Sequence, residues 1–213
     1  MAEFALALTL ASLRRLHEFA RETSWSAKRG DSLFDQEVTV FGAGEIGREY
    51  IRLLQPFEPR VNAVRRSAEP VDGAARTVSP HRLEQLLPST TVLMIAAAST
   101  GGTRGAIDAA MLDLLPRGAG VVNVARGDLL DHDALAHRLA NGALGAAALD
   151  TTDPEPLPPE HALWREPRCL LTPHTANTDD LSSTYLDARI EENLQRWAAE
   201  RSLLGRVDID AGY

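Results

Sequence analysis

Val38-Thr39-Val40-Phe41-Gly42-Ala43-Gly44-Glu45-Ile46-Gly47 sets the reading of this 213-residue chain. Four apolar or β-branched residues run straight into G-A-G-E-I-G. Arg48-Glu49-Tyr50-Ile51-Arg52-Leu53-Leu54 then continues with its apolar residues at helical spacing. The pattern is strand, tight turn, helix. Gly42 suits the backbone angles of the turn, Gly44 leaves no Cβ between the backbone and a pyrophosphate, and Gly47 lets helix and strand approach closely. Glu45 and Ile46 open the helix, whose positive N-terminus favours phosphate. The glycines alone are equally compatible with an ordinary turn; the strand before and the helix after them point to a dinucleotide site.

Further strand signals stand at Val61 to Val64, Val92 to Ile95, Gly120 to Val124, Leu144 to Leu149 and Cys169 to Leu171, with helical stretches between most of them. Ser79-Pro80 reads as the N-cap and first-turn proline of one helix. Asp131 caps another, running to Asn141 and ended by Gly142. Apolar strands alternating with helices give the α/β class: a Rossmann-type doubly wound parallel sheet that binds ligands at the carboxyl ends of its strands. Outside that core the sequence predicts an N-terminal helix over residues 2 to about 21, striped by Leu6, Leu10, Leu13 and Leu16, and a polar connector from Glu22 to Gln36. A C-terminal helix is predicted over about Asp179 to Arg201, striped by Leu181, Tyr185, Ile190, Leu194 and Trp197.

Composition narrows the function classes. With 44% hydrophobic residues the chain can form a sizeable core, and a net charge of −8 argues against a general binder of nucleic acid or acidic membrane. No run of about 18 apolar residues predicts a membrane span, and the early Glu3 and missing basic segment make the opening stretch a helix rather than a targeting signal. Cys169 is the only cysteine, so no internal disulfide forms. Its neighbours Leu170 and Leu171 suggest a buried strand thiol, in keeping with a reducing cytoplasm. No metal-ligand set is assigned.

The second strand ends at Val64-Arg65-Arg66, about 20 residues beyond the glycine turn, where an NAD enzyme usually carries an acid on the ribose hydroxyls. Guanidinium groups at that spot suit the 2′-phosphate of NADP, so NADP is preferred over NAD; two arginines facing water is the alternative. The later strands end at Val124-Ala125-Arg126-Gly127, at Leu149-Asp150 followed by Glu155, and at Thr172-Pro173-His174. A cation, a carboxylate and a histidine therefore meet on one edge of the sheet. Reduction of a 2-oxo acid needs those three: Arg126 to hold the carboxylate, His174 to protonate the oxygen, and Glu155 to stabilise the charged imidazole.

With these motifs in place the sequence resembles the D-2-hydroxyacid dehydrogenase family, which includes glyoxylate and hydroxypyruvate reductases. The resemblance rests on Gly42 to Gly47, on Asn123-Val124-Ala125-Arg126-Gly127, on Asp150 with Glu155-Pro156-Leu157-Pro158, and on Thr172-Pro173-His174. It implies that Arg126 binds the substrate carboxylate, that His174 is the acid/base paired with Glu155, and that Val124, Ala125 and Asp150 lie at the nicotinamide carboxamide. The substrate implied is a small 2-oxo or 2-hydroxy acid. Ala98-Ser99-Thr100 departs from the family's usual Pro-Leu-Thr at this place. The resemblance further implies a preceding flavodoxin-like substrate domain that the chain lacks, and residues 1–30 as a homodimer-forming helix and connector. Residues 31–178 would be the dinucleotide-binding domain, with 179–213 as a helix and tail that would pack on the substrate domain. The competing expectation is a dinucleotide-binding module that does not turn over by itself and acts through a partner chain.

Overall fold

The computed structural model describes residues 1–207 and 209, with the side chains of residues 179–181 outside the description. Seven strands form one sheet: β1 (Glu37–Phe41), β2 (Arg60–Val64), β3 (Arg76–Val78), β4 (Val92–Ile95), β5 (Gly120–Asn123), β6 (Ala146–Leu149) and β7 (Cys169–Leu171). Their order is β3-β2-β1-β4-β5-β6-β7, and every neighbouring pair runs parallel. Helices cover both faces of such a sheet, so its strands are apolar without alternation. Val38-Thr39-Val40-Phe41, Val92 to Ile95 and Gly120 to Asn123 are accordingly buried throughout. Phe41 stands level with Val64 on one side and Ile95 on the other. The connections diverge from β1 towards β2 and β4, which opens a crevice at the carboxyl ends of these strands.

On one face lie α1 (Ala2–Leu13) and α3 (Glu45–Leu54), sharing a core with Val40, Met94 and Val122. The other face is covered by α4 (Ala109–Asp113), α5 (His132–Ala140) and two 3-10 turns, around Leu93, Ile95 and Val121. Asp131 caps α5 as expected, its Oδ1 accepting from Ala134 N at 2.8 Å, and Gly142 follows the helix at φ 72°.

The N-terminal segment corrects the sequence expectation twice. It is two helices, because Arg15 takes a left-handed φ of 53° between α1 and α2 (Leu16–Phe19). Its fully buried residues are Ala2, Ala5, Leu8, Thr9 and Ser12, while Leu6, Leu10 and Leu13 of the expected stripe pack half-buried against the same core and Leu16 is 56% exposed. The helix is apolar nearly all round, so the stripe could not choose its face. The small residues win because they let α1 lie close against the sheet and α3, where Thr9 Oγ1 and Tyr50 OH hydrogen-bond at 2.8 Å. Thus α1 is one of the helices that flank the core rather than an element outside it.

Smaller differences have local causes. The strand β3 was not expected, since only Thr77 and Val78 carry a strand signal. Residues Pro80–Gln85 form a 3-10 turn with Pro80 at its start, and the Ser79 side chain accepts from none of its amides: its Oγ engages the His81 ring. β5 stops at Asn123 and β6 begins only at Ala146.

Two compact units divide the chain, Met1–His174 and Thr175–Tyr213. In the second, α6 (Asp179–Ala198) stops three residues short of the expected end. The segment after it folds back, with Leu204 N donating to Asn193 Oδ1 at 2.8 Å and Asn193 Nδ2 to Leu204 O at 3.1 Å. Of the expected apolar stripe, Tyr185, Ile190, Leu194 and Trp197 are exposed; the side chain of Leu181, and residues 208 and 210–213 of the tail, lie outside the described residues. Among the described residues no helix is long and apolar enough to cross a membrane.

Candidate active site

The glycine turn has the geometry its sequence implies, glycine by glycine. Gly42 takes a φ of 104°, and a Cβ there would stand 2.2 Å from Ala97 N. At Gly47 a Cβ would stand 2.3 Å from Gly42 O. Gly44 is the opposite case: nothing lies within 4 Å of a Cβ placed on it. The first and third glycines are therefore required by the protein itself, whereas the second faces open space, as an approaching pyrophosphate needs. Gly42 N and Ala43 N both donate to Val64 O at 3.0 Å, which fixes the turn to the end of β2. No side chain caps α3, so its first amides, with Glu45 and Ile46 at its start, are presented without a capping group.

Beyond β2, Arg65 N donates to Val78 O at 3.0 Å, and the Arg65 guanidinium lies 3.5 Å from Glu69 Oε2. Arg66 follows, exposed.

At the other edge of the crevice three loops are tied to one another, largely by main chain. Asn123 closes the first: its amide donates to Arg126 O and accepts from Ala125 N, both at 2.9 Å. Val124 and Ala125 are buried by this arrangement, and Arg126 is exposed, with Nη1 donating to Ala125 O at 2.6 Å. Gly127 lets this loop press on the second, since a Cβ there would be 1.9 Å from the carbonyl carbon of Thr152. Asp150 N donates to Asn123 O, and Asp150 O accepts from His174 N, each at 2.9 Å. The Asp150 carboxylate is buried and accepts from Thr172 Oγ1 at 2.6 Å. From this frame the His174 ring reaches Glu155, Nδ1 to Oε1 at 2.7 Å, with 41% and 42% of the two side chains exposed. His174 itself takes a left-handed φ of 52°, a conformation uncommon for a residue with a side chain.

Sequence reasoning assigned no role to Asn123, Gly127 or Thr172, the residues that hold the three loops in place. Their signal lies in the motifs themselves, where an asparagine ending a strand three residues before an arginine offers the loop a donor and an acceptor at once. In the segment that departs from the family's run at Ala98 and Ser99, Ser99 Oγ donates to Asp128 Oδ2 at 2.6 Å, and Thr100 N to Thr103 Oγ1 at 2.8 Å. Arg104 Nε reaches the same Asp128 oxygen at 3.0 Å, so the loops after β4 and β5 are joined as well. A cavity of about 530 Å³ lined by Glu18, Arg29, Glu166 and Arg168 lies at the opposite end of β7, where Arg29 pairs with Glu18 and Glu22 and Arg168 with Glu166. Among the described residues no group of three His, Cys, Asp or Glu is placed to hold a metal ion.

Residues 4–176 match the D-isomer specific 2-hydroxyacid dehydrogenase, NAD binding domain. Glyoxylate/hydroxypyruvate reductase A of Serratia proteamaculans is 30% identical over 216 residues, covering all of this chain and 68% of that protein. Among solved structures, the D-isomer specific 2-hydroxyacid dehydrogenase of Xanthobacter autotrophicus Py2 in complex with NADPH is 31% identical with a TM-score of 0.89, and the match covers all of this chain and 88% of that one. The NADPH-dependent glyoxylate/hydroxypyruvate reductase of Sinorhizobium meliloti, in complex with NADP and sulfate, is 28% identical with a TM-score of 0.89, over all of this chain and 69% of that one.

Proposed function

The chain belongs to the D-isomer specific 2-hydroxyacid dehydrogenase family, and from that premise we propose that it transfers a hydride between NADP(H), preferred over NAD(H), and a small 2-oxo or 2-hydroxy acid such as glyoxylate or hydroxypyruvate. The observation that carries the reading is the His174–Glu155 pair, 2.7 Å apart on loops locked to the one that carries Arg126. The open space at Gly44 and the uncapped start of α3 fit the cofactor's pyrophosphate, and Arg65 and Arg66 fit its 2′-phosphate. The complexes of the Xanthobacter and Sinorhizobium proteins support the same cofactor.

In this reading Arg126 holds the substrate carboxylate through its donor fork and orients the carbonyl. A nicotinamide held beside these residues would supply the hydride for substrate C2. Glu155 engages His174 at Nδ1, which leaves Nε2 to deliver the proton to the carbonyl oxygen and to recover it in the reverse direction. Buried Val124, Ala125 and Asp150 form the wall on which the carboxamide would rest. Homodimerisation through residues 1–30 and a cytoplasmic location complete the proposal, as does a division into a dinucleotide-binding region over 31–178 and a substrate-domain contact over 179–213.

The exposure of His174 and Glu155 favours one competing reading, a nucleotide-binding module that turns over only with a partner covering the pair, because water weakens the electrostatics on which such a site relies. Steady-state reduction of 2-oxo acids by the purified chain, alongside NADPH and NADH titrations, separates the two. Replacing His174 with Ala is expected to remove turnover and leave NADPH affinity within about twofold, since general acid catalysis contributes roughly 10²–10⁴-fold. Turnover undiminished in that variant defeats the assignment.

A further inference from the structure

Immediately after β2 the chain turns back on itself and lays a carboxylate against the arginine offered to the 2′-phosphate. Ala68 N donates to Arg65 O at 3.2 Å, and Ala68 holds a φ of 52°, a left-handed conformation that residues with a Cβ rarely adopt. The turn delivers Glu69 to Ser67 and Arg65. Its Oε2 accepts from Ser67 Oγ at 3.3 Å and stands 3.5 Å from Arg65 Nη2, while Glu69 N donates to Ser67 Oγ at 3.5 Å. One hydroxyl and one guanidinium thus converge on a single anionic oxygen. A phosphate monoester asks for the same donors, and the site lies one residue beyond Val64, whose carbonyl anchors the glycine turn.

We propose that Glu69 is a specificity-determining residue: an internal occupant of the 2′-phosphate subsite, which NADP(H) displaces and NAD(H) leaves in place. The inference rests on the cofactor reading above. The Arg65 side chain is 26% exposed and that of Glu69 is 69% exposed, so the arginine is the fixed member and the carboxylate swings out into water. Because a solvated ion pair is weak, the occupant moderates NADPH affinity rather than blocking it. It also opposes the phosphate's charge while it remains nearby, an effect that fades as salt screens it.

The test is a fluorescence titration of the full chain with NADPH and with NADH, for wild type, Glu69→Gln, Arg65→Ala and the double variant. Glutamine keeps the length of the side chain and removes its charge. At low ionic strength Glu69→Gln is expected to tighten NADPH binding about two- to fivefold and to leave NADH within about twofold; the gain should shrink in the Arg65→Ala background and at high salt. Unchanged or weaker NADPH binding in Glu69→Gln, or an equal gain for NADH, overturns the inference while the cofactor reading stands. Wild type and variants that all fail to bind either nucleotide overturn both.

Discussion

Gly44→Ala and Gly47→Ala make the same chemical change three residues apart, and the structure assigns them opposite consequences. At Gly47 the new Cβ would lie 2.3 Å from Gly42 O, where real Cβ contacts essentially never fall below 3.0 Å. Both partners are backbone, so α3 must separate from the turn by most of an ångström. Overpacking of this kind costs typically about 1–3 kcal/mol, or roughly 2–12 °C in Tm for a chain of this size. At Gly44 the Cβ meets nothing within 4 Å, and the residue's φ of −79° is ordinary for alanine. The loss of a glycine N-cap, about 0.5 kcal/mol, is offset by the reduced freedom of the unfolded chain, about 0.4–1 kcal/mol. Tm should therefore move by less than ~4 °C, while the methyl group occupies the space assigned to the pyrophosphate and NADPH affinity falls by at least about tenfold, a difference of ~1.4 kcal/mol. Differential scanning fluorimetry and a nucleotide titration on both variants read the two quantities. Wild-type NADPH affinity in Gly44→Ala refutes the assignment of that space, and a thermally unchanged Gly47→Ala refutes the close-packing explanation.

Asn123→Ala should cost about 1–3 kcal/mol by leaving the buried Ala125 N–H without its acceptor, and should raise KM for the 2-oxo acid by releasing the Arg126 loop; urea denaturation and steady-state kinetics check the pair of effects. Burial, the largest cause, pushes His17 and His132 below the ordinary value of 6.5. Above 6.5 folded and unfolded chains both hold them neutral; as pH falls below it the unfolded chain takes up protons the folded chain refuses, so stability drops. Tm should thus decline between pH ~6.5 and ~5, with a shallower decline in His132→Gln, and an identical slope in that variant would remove His132 from the account. Size-exclusion chromatography with light scattering should give the mass of a homodimer, and a monomer mass would end that proposal.

Much of the sheet was legible because its strands are buried on both faces and so read as unbroken apolar runs between helical stretches. Where burial left no such mark, legibility failed: β3 sits at the edge with its side chains only partly covered, and Arg76-Thr77-Val78 looks like loop. The leucine stripe of the N-terminal segment was only partly informative for a related reason: a helix apolar on nearly every side carries little directional signal, so Leu6, Leu10 and Leu13 pack at the margin of the buried side and the small residues that permit close approach take its centre. In the site, side chains with charge announced themselves, whereas the groups that hold them did not. Asn123 and Thr172 act through short uncharged side chains and Gly127 through the lack of one, in contacts that only the fold brings together, and the turn that carries Glu69 to Arg65 depends on an alanine in a conformation no propensity would forecast.

The three loops at the carboxyl edge are joined through Asp150 N to Asn123 O, His174 N to Asp150 O, and the bare flank of Gly127 against Thr152. Two of these joints need no particular side chain, and the third asks only for a glycine. The neighbouring Ala98 to Arg104 segment differs in kind: it is held through the side chains of Ser99 and Arg104 on Asp128, so a change of sequence there reaches the loop that carries Arg126. Where main chain alone makes the joint, side chains can be exchanged while the course of the loops is kept; where a side chain makes it, they cannot.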